Sequence, residues 1–132
     1  MSSNKDIIAA AFADMAKGDS TRYLAAMVDD IRYELVGDNS WGRLYEGREA
    51  ILRELGGPLM SRIQQPLVMK TTCLLEDDDY VVLEAVGDNR TSDGRPYRNR
   101  YCMIIKMAGG QIVELTEYTD TETVQRVLGE RI

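Results

Sequence analysis

The chain has 132 residues, a net charge of −6 and no histidine. This length predicts one domain spanning residues 1–132, and the acidic balance argues against a nucleic-acid partner, which requires a basic surface. The absence of histidine excludes Ser-His-Asp and Cys-His catalysis as well as imidazole metal sites. No phosphate-binding loop or metal-ligand spacing is present, so we expect no cofactor and no metal. Acid–base chemistry would fall to carboxylates, tyrosine, lysine, cysteine or held water.

The first third of the chain predicts two helices. The first is capped by Ser2 or Ser3 and ends at Gly18. The second is expected to stop at the pair 29–30 and to bury Leu24, Met27 and Val28. The polar N-terminus shows no secretory signal, and no apolar run is long enough to cross a bilayer. We therefore expect a cytoplasmic protein without a membrane partner.

From Ile31 onwards the apolar residues alternate, which predicts strands over 31–37, 43–47, 66–76, 80–90, 95–107 and 111–119. One helix, "GREAILREL", interrupts them and is expected to be distorted at "GGP", with an inward face of Ile51, Leu52 and Leu55. A last helix begins with Asp120 as N-cap and ends at Gly129. Helices followed by strands predict an α+β fold with a curved antiparallel sheet.

The strand "PYRNRYCMIIKM" has two different faces. The face that is predicted to meet the helices carries Asn99, Tyr101, Met103, Ile105 and Met107. The opposite face is charged near Arg98 and Arg100 but apolar at Cys102 and Ile104. A half-apolar outer face on a small domain favours a homodimer formed through that face.

The segment "IVELTEYTD" raises the main question about function. Strand alternation puts Val113, Leu115 and Glu117 on one face. If this face is solvated, Glu117 is only a surface charge, but if it lines a cavity, Glu117 is a carboxylate in apolar surroundings that can act as a base. Asn99 and Tyr101 are expected to flank it from the neighbouring strand. They could fix water or a substrate oxygen, or they could simply hydrogen-bond a structural carboxylate.

Two short stretches, "YEGREAI" at 45–51 and "EYTDT" at 117–121, together with the order of elements, resemble the SnoaL-like branch of the nuclear transport factor two-like superfamily. Relatives in this superfold include ketosteroid isomerase, limonene epoxide hydrolase and polyketide cyclases. The resemblance implies a cystatin-like cone, in which a bent sheet wraps around the N-terminal helices and leaves a central apolar pocket. It also implies a homodimer built on the outer sheet face. Because the superfold hosts enzymes and non-enzymes, it specifies the fold better than the reaction.

The resemblance carries some functional positions onto this chain. The water-activating aspartate of limonene epoxide hydrolase corresponds to Glu117 and a pocket asparagine to Asn39, whereas the tyrosine that helps to hold the water falls on Gly37. All three catalytic roles of ketosteroid isomerase are vacant, because their positions fall on Leu35, near Ala11, and on Met103 or Cys102. The resemblance therefore does not imply steroid isomerisation by that mechanism.

A small apolar molecule is the expected ligand. Its predicted contacts, each of which could equally be a core residue, are Asn39, Trp41, Tyr33, Met103 and Leu115, with Tyr23 and Tyr45 as further wall residues. An enzyme of this kind would be a cofactor-independent isomerase, cyclase or epoxide-hydrolase-like protein. Its base would be Glu117, and water or a carbonyl oxygen would be oriented by Asn99, Tyr101 and Asn39. The alternative is a non-catalytic binding or protein-interaction module.

Overall fold

The computed structural model describes residues 3–132 and has helices in its first half, strands throughout and a helix near its end. The helices are α1 Asn4–Met15, α2 Thr21–Ala25, α3 Arg48–Ala50, a π-helical segment Ile51–Gly56, α4 Gly57–Met60 and α5 Thr121–Leu128. The strands are β1 Met27–Val36, β2 Arg43–Glu46, β3 Lys70–Asp77, β4 Tyr80–Arg90, β5 Pro96–Ala108 and β6 Gln111–Thr119. Of the two predicted caps of α1, Ser3 is the observed one, and Ser2 lies outside the described residues.

All six strands form one curved sheet in the order β2-β1-β6-β5-β4-β3. The predicted α+β class is confirmed, and neighbouring strands are antiparallel except for β1 and β6, which run parallel. The meander pattern did not predict that parallel pair, because it joins the first strand to the last. The pair brings the N-terminal part of the chain beside Glu117.

The second predicted helix is shorter than expected. It ends at Ala25, and β1 begins at Met27, so the prediction that Asp29 and Asp30 stop a helix is wrong. Met27 is buried as predicted, but it reaches the core from a strand that pairs with Ile112 of β6. Asp29 is exposed and forms an ion pair with Arg48, which replaces the helix-ending role assigned to it.

The helical segment after β2 continues through Gly56 and Gly57 because its turns are wider there than in an α-helix. A π-helical turn over Ile51–Gly56 precedes α4, so the segment 48–60 is continuous. The wider turn breaks the 3.6-residue period on which the inward face was predicted. Ile51 is buried and Leu55 is half-buried, whereas Leu52 faces inward as predicted but keeps 48% of its surface exposed.

Strand β3 begins at Lys70 rather than at Pro66. The backbone N–H and C=O of Val68 pair instead with the side-chain amide of Asn89, at 2.9 and 3.1 Å. In β6 the register shifts between Lys106 and Met107 of the neighbouring strand, so that Ile112 is buried while Val113 is only half-buried. Beyond this irregularity Leu115 and Glu117 face inward, as the alternation predicted.

The two faces of β5 are those expected from the sequence. Its inner face is buried from Tyr97 to Met107, and the outer face of the sheet exposes Leu75, Tyr80, Val86, Ile104 and Tyr118. Among residues 3–132, no helix combines the length and the apolar character that crossing a bilayer requires. The cytoplasmic location stays a prediction.

Candidate functional site

A cavity of about 540 Å³ lies between the inner face of the sheet and the helices. Its walls come from α2, the helical segment 48–60, α5, and the inward residues of β1, β5 and β6. Most of the lining is aliphatic, methionine or aromatic. Leu52 is both half-exposed and part of the lining, so the cavity reaches the surface beside the π-helical turn. This volume is in the usual range for small-molecule sites.

Glu117 projects into this cavity from β6 and is 7% exposed. The parallel register puts Tyr33 of β1 beside Leu115, two residues from Glu117, and from there its hydroxyl donates a hydrogen bond to Glu117 Oε1. The two structural partners considered from sequence, Asn99 and Tyr101, do not bond to the carboxyl group. One carboxylate oxygen is therefore fixed by Tyr33, and the residues described here supply no hydrogen bond to the other.

Burial dominates the electrostatics of Glu117. Removal from water raises the pKa of its carboxyl group from 4.5 to about 7, while the hydrogen bond from Tyr33 opposes that rise. The pKa of Tyr33 is also well above its ordinary value, because of burial and because of the nearby Glu117. At neutral pH the pair therefore consists of a neutral phenol and a carboxyl group that is about half ionised.

Tyr23 on α2 brings a third hydroxyl to the same region. Its ring packs edge-on against Phe12, with 5.1 Å between the centroids. Its buried hydroxyl has no hydrogen-bond partner among the described residues. Burial and the charge of Glu117 raise the pKa of Tyr23, and the nearby Tyr33 hydroxyl lowers it by a smaller amount. The hydroxyls of Tyr23 and Tyr33 nevertheless do not meet the geometry of a hydrogen bond.

A family model described as the SnoaL-like domain matches residues 8–115. The chain belongs to this family. The resemblance to this family is thereby confirmed, and "YEGREAI" lies within the match, whereas "EYTDT" begins at Glu117, two residues beyond its end. Family membership accordingly says nothing specific about the carboxyl group in the cavity.

Solved structures share the fold of this SnoaL-like protein at low sequence identity. An NTF2-like protein from Burkholderia thailandensis E264 is 19% identical with a TM-score of 0.83, over 97% of this chain and 98% of that one. A protein described as a SnoaL-like polyketide cyclase from Jannaschia sp. CCS1 is 16% identical with a TM-score of 0.76, over 96% and 91%. TerC, co-crystallised with polyporic acid, is 18% identical with a TM-score of 0.77, over 95% and 97%. No curated protein sequence matches the chain.

Five of the residues predicted to line the cavity of this SnoaL-like protein do so together with Glu117, and these are Tyr23, Tyr33, Trp41, Tyr101 and Met103, whereas Tyr45 lies outside the lining. Asn99 does not line the cavity. The Asn99 amide nitrogen donates to the Tyr97 hydroxyl at 3.2 Å and to the backbone oxygen of Asp120 at 3.3 Å. Its oxygen accepts from the backbone N–H groups of Arg100 and Asp120 at 2.8 and 3.2 Å. Asn99 thus fixes β5 to the start of α5.

Asn39 and Leu115 also lie outside the lining. The Asn39 oxygen accepts from the backbone N–H groups of Trp41 and Gly42, and its nitrogen donates to the Thr121 backbone oxygen at 3.2 Å. This amide therefore shapes the loop that carries Trp41. The Trp41 indole donates to the Gly129 backbone oxygen at 2.8 Å, which fixes the ring at the cavity wall. Leu115 is 1% exposed and packs in the core.

Sequence reasoning missed several lining residues. Tyr97 could have been found, because it shares the alternating inner face of β5 with Asn99 and Tyr101. Thr119 continues the inward pattern of β6 beyond Glu117 and could have been found in the same way. In the segment 48–60, Ile51, Leu52 and Leu55 line the cavity and were predicted to face inward, whereas Gly56, Gly57 and Leu59 were not found, because the π-helical turn changes the period there.

Proposed function

We propose that this SnoaL-like protein binds a small, largely apolar molecule in the cavity and performs cofactor-independent acid–base chemistry on it. The reaction class is isomerisation, cyclisation or addition of water, with Glu117 as the base. One observation carries the proposal: Glu117 is the only charged side chain among the described residues that line the cavity, and burial brings its pKa to about 7. A base with a pKa near the operating pH is the most effective kind.

Tyr33 and Tyr101 have different parts in this proposal. Tyr33 donates to one carboxylate oxygen of Glu117 and holds the group in position, so that the other oxygen can take a proton from the ligand or from water. Tyr101 lines the cavity from β5 and can hydrogen-bond a ligand oxygen. Asn99 and Asn39 have no direct part, because their amides are occupied by the contacts described above.

The descriptions of two solved relatives favour a small-molecule ligand and an enzymatic role. One is described as a polyketide cyclase, and another was crystallised with polyporic acid, so the fold holds small molecules and hosts enzymes. Their identity to this chain is 16 and 18%, and it does not carry a particular substrate across.

Deuterium exchange of 2-tetralone tests the base directly. This apolar bicyclic ketone has acidic C–H groups beside its carbonyl, and a base in the cavity would exchange them for deuterium in D₂O. We expect the exchange rate, followed by proton NMR, to rise with pH and to level off above about 7, because Glu117 must be ionised. The variant Glu117→Gln should lower the catalysed rate by about 100-fold or more.

A matched control is Glu114→Gln, which makes the same chemical change at an exposed position of the same strand. It should leave the exchange rate unchanged. The alternative function, a non-catalytic binding module, predicts that the protein binds 2-tetralone with no exchange above the buffer rate. That result would contradict catalysis while leaving ligand binding intact.

We also propose that the protein is a homodimer formed through the outer face of the sheet. The support is an apolar band across neighbouring strands, in which Leu75 pairs with Val82, and Val82 with Ile104. Ile104 and Leu75 are 37 and 59% exposed, and Tyr118 on β6 extends the band. Exposed apolar area of this kind on a small domain favours association.

A further inference from the structure

The cavity contains a negative charge without a positive partner. Glu117 is its only ionisable acid, and no lysine or arginine belongs to the lining among the residues that the structure describes. The guanidinium of Arg62 lies 5.4 Å from the centre of the Trp41 ring, but Arg62 is itself outside the lining. Within residues 3–132, the carboxyl group accepts a single hydrogen bond, which comes from a neutral phenol, Tyr33. A buried carboxylate is costly unless it is paired, so the ionised form of this site lacks a cation.

The other polar residues of the lining carry no charge, and four of them are tyrosines beside Ser20, Gln65 and Thr119. Tyr23, Tyr33, Tyr97 and Tyr101 all belong to the lining, and burial raises the pKa of each phenol. All four are therefore neutral at physiological pH and add no charge of their own. The faces of tyrosine rings attract cations, and the attraction is stronger where water is excluded. Aromatic rings beside a single carboxylate are complementary to an ammonium group on an apolar body.

We propose that the ligand of this cavity carries one positive charge, and that it is an apolar amine whose ammonium group pairs with Glu117. The inference rests on the proposed function only in that the cavity takes a small molecule, and it adds the charge of that molecule. While the amine is bound, its ammonium group pairs with the carboxylate oxygen that Tyr33 leaves free, so Glu117 then acts as a counter-ion and not as a base. An anionic ligand would meet Glu117 without a compensating cation and would be repelled. The net charge of −6 on the whole chain acts in the same direction, because it attracts cations at long range.

Binding of an ammonium group must be linked to the proton on Glu117. In the part of the chain that the structure describes, the titratable groups that face this carboxyl are all tyrosines, namely Tyr23 on α2, Tyr33 on β1, Tyr45 on β2, and Tyr97 and Tyr101 on β5. None of them changes charge between pH 5 and pH 8, because burial raises every one of these pKa values. Below pH 7 the amine therefore binds with release of the Glu117 proton.

Three probes of one shape separate the charge classes. They are 2-naphthylmethylamine, which is a cation, 2-naphthylmethanol, which is neutral, and 2-naphthoic acid, which is an anion. By isothermal titration calorimetry at pH 8, the affinity should be highest for the amine, lower for the alcohol and lowest for the acid. The amine should bind at least about 10-fold more tightly than the alcohol. The amine affinity should fall by about 30-fold between pH 8 and pH 5.5, as expected for a carboxyl pKa of about 7. The alcohol affinity should be constant over the same range.

The variant Glu117→Gln should bring the amine to the affinity of the alcohol and leave the alcohol unchanged. Glu114→Gln, which removes the same charge from an exposed position of the strand, should preserve the preference for the amine. A second measurement needs no variant: titration of the amine at pH 6 in buffers of different ionisation enthalpy should show release of about 0.9 proton per amine bound.

The outcomes separate this inference from the proposed function. Equal affinities for amine and alcohol, a tighter acid, or no proton release at pH 6 would overturn the inference and leave cavity binding in place. A failure of all three probes to bind would overturn both, because no molecule of suitable size and shape would then enter the cavity.

Discussion

Glu117 occupies a position at which an apolar side chain or an amide would be more stable. A carboxyl group with a pKa of about 7 in the fold and about 4.5 in the unfolded chain keeps its proton longer when folded. The native state therefore binds more protons between these two values, and the free energy of unfolding falls as the pH rises through that range. The full cost is reached above pH 7 and amounts to about 3 kcal/mol. Such a cost is typical of groups retained for function.

The first prediction follows from this linkage. The variant Glu117→Gln keeps an acceptor for Tyr33 but cannot ionise, so it should be more stable than the parent by about 3 kcal/mol at pH 8. At pH 4 the difference should largely vanish, because the parent carboxyl is then protonated in the fold and mostly protonated in the unfolded chain. Urea denaturation at the two pH values measures both differences. A variant that is less stable at pH 8 would contradict the raised pKa.

Glu117 also shows what sequence can predict about a single residue. Strand alternation was enough to predict that Glu117 lies on the inner face, because successive side chains of a strand point to one of only two sheet faces. Its partner Tyr33 could be named as a wall residue, but not as the donor, since the contact depends on the parallel pairing of β1 with β6. The pocket roles expected of Asn99 and Asn39 were wrong because their amides bond to backbone groups at the start of α5, at Asp120 and Thr121, which are distant in sequence.

At the scale of elements, Arg62 joins the helical segment 48–60 to the chain after α5. Its guanidinium donates to the backbone oxygens of Pro58, Leu128 and Glu130, at 2.8, 3.2 and 2.6 Å, and it stacks over Trp41. The Leu128 oxygen belongs to the end of α5, where backbone acceptors lack helical partners, and the Glu130 oxygen lies just beyond it. The Pro58 oxygen belongs to α4 and also accepts from the Ser61 hydroxyl at 2.8 Å. The segment 48–60 and α5 both line the cavity, so Arg62 stabilises the cavity wall without belonging to the lining itself.

The second prediction concerns this junction. The variant Arg62→Ala should lower the free energy of unfolding by about 2 kcal/mol, because several backbone oxygens lose charge-assisted hydrogen bonds. Arg53→Ala is the matched control, since Arg53 is exposed and its single ion pair among the described residues is the i,i+4 pair with Glu49 at 3.3 Å. It should cost no more than about 0.5 kcal/mol. Thermal and urea unfolding measure both changes, and equal losses would contradict the role given to Arg62.

The sequence predicted some helices and strands correctly and others with wrong bounds or geometry. The strands from β4 to β6 and the caps of α5 were predictable, because alternation, turn residues and an N-cap aspartate are local signals. The boundary of α2 was not, because Met27 pairs with a strand that lies far along the chain. The π-helical turn was not either, since "GGP" indicated a distortion without its geometry.

At the scale of the whole molecule, the outer sheet face sets the third prediction. If the proposed homodimer forms there, Ile104→Glu puts a charge into its apolar band and should give a monomer by light scattering at micromolar concentration. Ile132→Glu is the matched control, because Ile132 is 88% exposed and lies outside the sheet. It should leave the dimer intact. A parent protein that is already monomeric at that concentration would contradict the interface.

Tyr33 and Glu117 are 84 residues apart in the chain, and the cavity walls come from positions between Met15 and Leu128. A polypeptide emerging from the ribosome exposes β1 long before β6 is made, and until then the phenol has no acid to hold. Ligand capture therefore cannot begin on an unfinished polypeptide. A molecule that occupies only the completed cavity would select the fully folded population and protect it against unfolding.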